Sequence, residues 1–217
     1  MPEITLQALT EQLNICDQLL SGRSKMIQPQ DLPGRYGRVV KAVDHRLQVT
    51  QCEALLAGGW AVWFHGFLGR VTQDIDIVLP AGRIDDFLQA AAVSGFELLP
   101  TVSGRWPKVR HKDTDIQVDI LPEGGRPGTA SRPAPTTIPS PVSMGAQPGP
   151  LHYVPLAFLV ELKLAAGRAR DEADVVELLR ANPQQVEDLR RHLAAVHSDY
   201  VDTFERLLQL ACEQRDE

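Results

Sequence analysis

The chain predicts an α+β fold with a helical C-terminal part. Three observations carry this. Apolar residues recur at helical spacing over residues 3–47, short strand-like runs dominate residues 54–121, and helical spacing returns after Pro155. The organisation that follows is N-terminal helices over 1–50, a core over 51–122, a Pro/Gly-rich arm over 123–150 and a helical region over 151–217.

Taken in order, Ile4, Leu6, Leu9, Leu13, Leu19 and Leu20 space a first helix that Ser21-Gly22 stops. Asp31-Leu32-Pro33 starts a second, carrying Val39, Val40, Val43 and Leu47. Ala54-Leu55-Leu56-Ala57 reads as a short buried strand ended by Gly58-Gly59, and Ala61 to Gly66 as a short helix with Gly66 as its cap. Asp74 to Leu79 is a second strand, closed by Pro80. Ile84 to Ala92 is helical, Phe96 to Leu99 a strand, and Lys108–His111 and Asp115–Leu121 a strand pair turning at Lys112-Asp113.

Seven of the sixteen prolines fall between Glu123 and Pro150, so that arm resists regular helix. A mobile first half and a better ordered second half are expected, because Ile138, Val142 and Met144 offer apolar anchors. Beyond it, Leu156–Ala166, Asp171–Ala181, Val186–Val196 and Tyr200–Cys212 read as helices.

The formal net charge of −6 argues against a general polyanion-coating role. Cys16, Cys52 and Cys212 are scattered and lack CxxC spacing, so neither a disulfide framework nor a structural zinc is expected. No basic-then-apolar leader opens the sequence, and no apolar run approaches the roughly 20 residues that span a bilayer. A soluble, reduced, cytoplasmic protein is the expectation.

The chemistry concentrates in Asp74-Ile75-Asp76. Residues two apart on a strand share a face, so the two carboxylates point the same way, at a rise of about 3.3 Å per residue. Aligned carboxylates on an apolar strand are costly without a cation. Asp119, in Val118-Asp119-Ile120, adds a third from another strand. Asp115 shares its face and is the rival, but Asp119 has the apolar flanks. Three such groups can hold two divalent metals roughly 3.5–4 Å apart and serve phosphoryl or nucleotidyl transfer; the bland alternative is an acidic strand edge.

Gly58-Gly59 after a strand lets backbone N–H groups approach a phosphate, or merely makes a tight turn. Arg70 is either a phosphate clamp or a solvated arginine, and Thr72 braces its loop. His65 reads as packing or capping. Lys163 lies in a strongly apolar helix and needs a partner, either triphosphate charge or an ion pair such as Asp174. Asp171 and Asp174 also suit the start of the next helix, and Arg168 and Arg170 are clamps or surface charge.

Together, Gly58-Gly59-x-Ala61, His65-Gly66, Arg70-x-Thr72-x-Asp74-Ile75-Asp76, Val118-Asp119-Ile120-Leu121 and Lys163-Leu164-x-Ala166-x-Arg168-x-Arg170-Asp171-x-x-Asp174 resemble the DNA polymerase beta-like nucleotidyltransferase superfamily. The pattern is most similar to the AbiEii and MenT-like group of type IV toxins, over residues 50–180. Trp60 and Trp63 are bulkier than many relatives carry after the glycines, and the arm is long. The resemblance implies a mixed-sheet nucleotidyltransferase fold, two magnesium ions and a nucleoside triphosphate such as ATP. It implies Asp74, Asp76 and Asp119 as metal ligands and catalytic residues. Gly58, Gly59, Arg70, Thr72, Lys163, Arg168, Asp171 and Asp174 would serve the nucleotide, with Lys163 also catalytic. The acceptor is a tRNA 3′ end or a protein hydroxyl, with a cognate antitoxin as partner, or a small antibiotic-like molecule. A non-catalytic nucleotide-binding module is the remaining alternative.

Overall fold

In the computed structural model, which describes residues 4–100 and 106–213, short strands rich in Leu, Ile and Val assemble one six-stranded mixed sheet. The strands are β1 (Leu55–Leu56), β2 (Ile75–Leu79), β3 (Phe96–Leu98), β4 (Lys108–His111), β5 (Ile116–Pro122) and β6 (His152–Tyr153), in the spatial order β3-β4-β5-β2-β1-β6. β2 runs parallel to β5, β1 parallel to β6, and the remaining neighbours are antiparallel.

The helices are α1 (Leu6–Leu20), α2 (Gly34–Thr50), α3 (Gly58–Phe64), α4 (Ile84–Ala92), α5 (Leu156–Ala166), α6 (Ala169–Ala181), α7 (Val186–Val196) and α8 (Ser198–Glu213). α2 and α4 pack together near the sheet, while α5 to α8 form a C-terminal bundle in which α6 and α7 each contact both α5 and α8. One continuous core joins the two parts. It runs from Val39, Val43 and Leu47 through Ile75, Ile77 and Ile120 to Leu159, Leu178 and Phe204, all at most 1% exposed. Burying each such side chain contributes roughly 1.5–3 kcal/mol. Among the described residues no helix is long and apolar enough to cross a membrane.

Several expected boundaries shift for identifiable reasons. α3 starts at Gly58 rather than Ala61, because Gly58 takes φ +62° and turns the chain straight out of β1 into the helix. β2 starts at Ile75, leaving Asp74 in the bend that precedes it. Asp115 is a turn residue at φ +57° rather than the start of β5. The expectation missed β6, a two-residue strand whose only recognition is its parallel pairing with β1.

The arm contains no helix and no strand of the sheet. Ile138 and Met144 are buried anchors as expected, at 2% and 3% exposure, whereas Val142 is 55% exposed. The arm's first half is closed by the Gly128–Pro133 bridge and by Arg126 Nη1, which donates to the Ala134 carbonyl at 2.8 Å. It is tied to the sheet where the Glu123 N–H donates to the Leu79 carbonyl. Trp60 and Trp63 turn into the core. Trp60 packs on Tyr36 with ring centroids 4.6 Å apart, and Trp63 Nε1 donates to the Arg70 carbonyl. Neither lines the cleft described next.

A carboxylate and cation cleft as candidate active site

Parallel pairing of β2 with β5 places Asp76 opposite Asp119. Their flanking residues, Ile75, Ile77, Val118 and Ile120, all face the core. Alternation therefore forces both aspartates to the other face of the sheet, where they line a cleft of about 660 Å³. Asp74 lines the same cleft from the bend before β2. The three expected carboxylates thus line one cleft, and Asp115 does not belong to it. Asp115 is 82% exposed and pairs with Arg110.

The glycine pair is shaped by these carboxylates. A Cβ on Gly58 would come 1.7 Å from Asp76 Oδ2, and one on Gly59 would come 2.5 Å from the Thr72 side chain. Gly58 lines the cleft, while Gly59 is buried behind it. Thr72 braces its loop as expected. Its hydroxyl donates to Asp74 Oδ1 at 3.1 Å, and its N–H donates to Gln12 Oε1 at 3.0 Å. Gln12 Nε2 in turn donates to the Tyr36 hydroxyl, which donates to the Thr72 carbonyl. Asp74 is therefore aimed by a buried chain that reaches α1 and α2.

Negative charge is crowded at Asp76. Burial, then the charges of Asp74 and Asp119, push its carboxyl up to about 7, with Lys163 and Arg70 pulling the other way. Asp119 has a cation of its own: Lys108 Nζ donates to its Oδ2 at 2.5 Å, and Gln117 donates to its Oδ1. Among the described residues no group of three His, Cys, Asp or Glu side chains is drawn together as a preformed metal centre. Even so, the donors are hard carboxylate oxygens, and the charge they confine is the kind that a magnesium ion offsets.

Across the cleft stands a cationic cluster. α5 ends at Gly167, whose φ of +61° permits a sharp turn into α6, so Lys163 meets Asp171 and Asp174 one helical turn apart. Lys163 Nζ lies 3.0 Å from Asp171 Oδ1 and 2.6 Å from Asp174 Oδ2, with all three side chains at most 6% exposed. Arg70 Nε adds a 3.0 Å contact to Asp174, and Arg168 pairs with Asp171 through two nitrogens. Burial acts to raise the Asp171 carboxyl, but the Arg168 hydrogen bonds and the Lys163 charge outweigh it and hold the group below its ordinary range.

Arg70, Lys163, Arg168, Arg170 and Asp171 all line the cleft. Asp174 does not, being buried behind the cations it holds. His65 packs as expected, with Nε2 2.8 Å from the Val154 carbonyl and its pKa lowered by burial. Sequence reasoning missed Gln12, Tyr36, Lys108 and Trp106. Of these, only Lys108 carried a visible signal, because antiparallel pairing of the two strands already recognised sets it opposite Asp119.

No protein-family model matches the chain, and no curated protein matches its sequence. Among solved structures, the crystal structure of ANT(2")-Ia in complex with adenylyl-2"-tobramycin is similar at a TM-score of 0.42 and 15% identity, over 82% of this chain and 97% of that one. The solution structure of the antibiotic-resistance factor ANT(2'')-Ia is similar at a TM-score of 0.37 and 14% identity, over 82% of this chain and 94% of that one.

Proposed function

We propose that the cleft transfers a nucleoside monophosphate from a nucleoside triphosphate to the hydroxyl of a small molecule. The observation that carries this reading is the facing of three carboxylates, Asp74, Asp76 and Asp119, by Arg70, Lys163, Arg168 and Arg170 within one cleft. The resemblance of these same residues to the polymerase beta-like nucleotidyltransferases supports it.

In this reading Asp74, Asp76 and Asp119 would hold a pair of magnesium ions. When bound, such ions lower the pKa of an attacking hydroxyl and neutralise triphosphate charge. Thr72 keeps Asp74 aimed at the cleft. Lys163, Arg168 and Arg170 offset phosphate charge, and the pyrophosphate that departs carries the most of it. Asp171 and Asp174 serve the nucleotide indirectly in this reading, by holding Lys163, Arg70 and Arg168 in place. The hydroxyl oxygen bonds to the α-phosphorus, the bond from that phosphorus to pyrophosphate breaks, and the hydroxyl proton leaves towards Asp119 and solvent.

A small acceptor is preferred to a tRNA 3′ end or a protein. Net charge is −6, and the cations of the cleft are largely matched by its own acids. Incubation with each labelled triphosphate, magnesium and separated extract fractions tests the reading. Label is expected in the small-molecule fraction, and Asp76→Ala is expected to abolish it. Transfer to RNA or protein instead would overturn the acceptor class. Triphosphate binding by calorimetry without pyrophosphate release under any condition would identify a binding module.

A further inference from the structure

The three carboxylates divide the cleft into two chemically different flanks. The flank towards α5 and α6 carries Arg70, Lys163, Arg168 and Arg170, with Asp171 and the α5 leucines beside them. The flank towards β4 and the arm carries Trp106, Lys108, Gln117, Leu121, Pro127 and Ile138. Sheet order enforces this division: Asp119 on β5 lies between Asp76 on β2 and Lys108 on β4. The arm is held against the second flank by its own backbone. The Gly124 N–H donates to the Ile138 carbonyl at 2.9 Å, and the Ile138 N–H donates to the Gly125 carbonyl at 2.8 Å. Trp106 closes on the arm so tightly that a Cβ on Gly125 would lie 3.3 Å from its Nε1.

Resting on the nucleotidyl-transfer reading, we infer that this second flank is the acceptor subsite and that its substrate is an uncharged or singly anionic hydroxyl compound with an aromatic or apolar body. Triphosphate charge belongs on the flank with four cations, which leaves the aromatic flank for the acceptor. Half-buried Trp106 supplies a stacking surface and Leu121 an apolar contact, while Pro127 and Ile138, almost wholly buried, complete the apolar lining. Asp119 is the one carboxylate on this side, and Lys108 holds it at 2.5 Å. An oligoamine therefore meets a lysine beside that acid, whereas a carboxylate or neutral oxygen meets a cation that can donate to it. Over the whole cleft five cationic side chains face four carboxylates, which again disfavours a polycation.

Saturation-transfer NMR with three probes tests this without any turnover: 4-nitrophenyl glucoside, 4-nitrophenyl glucuronide and kanamycin, each with the intact chain. Both aryl probes are expected to receive saturation from the wild type, the glucuronide binding at least as well as the glucoside, and kanamycin at least about tenfold more weakly. Trp106→Leu is expected to weaken both aryl probes about tenfold while Trp106→Phe retains them. Lys108→Met is expected to weaken the glucuronide relative to the glucoside. The inference is overturned if kanamycin binds the wild type better than either aryl probe, if neither aryl probe binds at millimolar concentration, if Trp106→Leu changes nothing, or if a single-stranded RNA ending in CCA displaces both aryl probes. Magnesium–triphosphate binding, followed in parallel by calorimetry, reads the other flank: its absence in the wild type defeats the transferase reading, not the aryl subsite.

Discussion

Asp76 and Asp119 sit directly opposite one another on adjacent parallel strands, on the face of β2 and β5 that turns away from the core. Parallel strands pair only when a long connection brings them together, so the two carboxylates meet although they lie 43 positions apart in sequence, from 76 to 119. Burial first, and then the charges of Asp74 and Asp119, strain the ionised form of Asp76.

That strain has a pH signature. The Asp76 carboxyl is raised from 3.8 to about 7 in the folded chain, so the folded state binds its proton more tightly than the unfolded state does. In metal-free protein its contribution is fully present below the ordinary carboxylate pKa. It is lost progressively as pH rises to about 7, a loss on the order of 4 kcal/mol. Asp76→Asn is expected to flatten this slope and to raise the melting temperature of metal-free protein at pH 8, while abolishing transfer. Thermal melts between pH 4 and pH 8 in chelator check it; an unchanged slope would show that Asp76 is not the group under strain.

Gly58 is required by geometry on two counts: φ of +62° and a Cβ that would enter the Asp76 carboxylate. The left-handed conformation alone costs roughly 1–2 kcal/mol for an L-residue. Gly58→Ala is therefore expected to lower stability by at least that amount and to weaken magnesium-dependent triphosphate binding, because Asp76 must move. Gly82→Ala, where an added Cβ meets nothing within 4 Å, is the matched control and is expected to be neutral. Calorimetry with magnesium and triphosphate reads the difference.

Lys163 links stability to the site. Replacing it with Met leaves Asp171 and Asp174 buried with less positive charge around them, a change worth roughly 3–5 kcal/mol when a buried pair is broken. Adding Asp174→Asn to Lys163→Met is expected to recover part of the stability and none of the activity. Denaturant unfolding of the single and double variants beside initial rates separates these outcomes; recovery of both would mean that Lys163 serves the fold alone.

Most helix positions were legible because their spacing is regular: Leu156–Ala166 and Val186–Val196 begin and end where the sequence pattern does. That Asp76 and Asp119 share a face was legible too, since alternation fixes which face a strand residue takes; Asp74 reaches the cleft from the bend before β2 instead, outside the strand the pattern assigned it to. What escaped was set by tertiary contact. β6 exists only through its pairing with β1. Gln12 looks like one more polar residue on an amphipathic helix until Thr72 and Tyr36 close on it. Val142 sits among prolines where no period tells the inward side from the outward one.

The Gln12–Thr72–Asp74 chain yields a prediction in which geometry and stability come apart. Thr72→Val keeps the volume and the branched shape and removes only the hydroxyl that donates to Asp74 Oδ1. The residue's N–H still reaches Gln12, so the fold is expected to lose no more than about 1 kcal/mol. Asp74, freed from its donor, is expected to wander, and misplacement of a reacting group by about 1 Å costs on the order of a hundredfold in rate. Gln12→Ala acts in the opposite proportion. It strips the buried Thr72 N–H of its acceptor and the Tyr36 hydroxyl of a partner, at roughly 1–3 kcal/mol for each buried group left unsatisfied. The expected pattern is therefore a large fall in kcat with little change in melting temperature for Thr72→Val, and a large fall in melting temperature for Gln12→Ala. Equal melting temperatures and equal rates for the two variants would show that the chain does not aim Asp74.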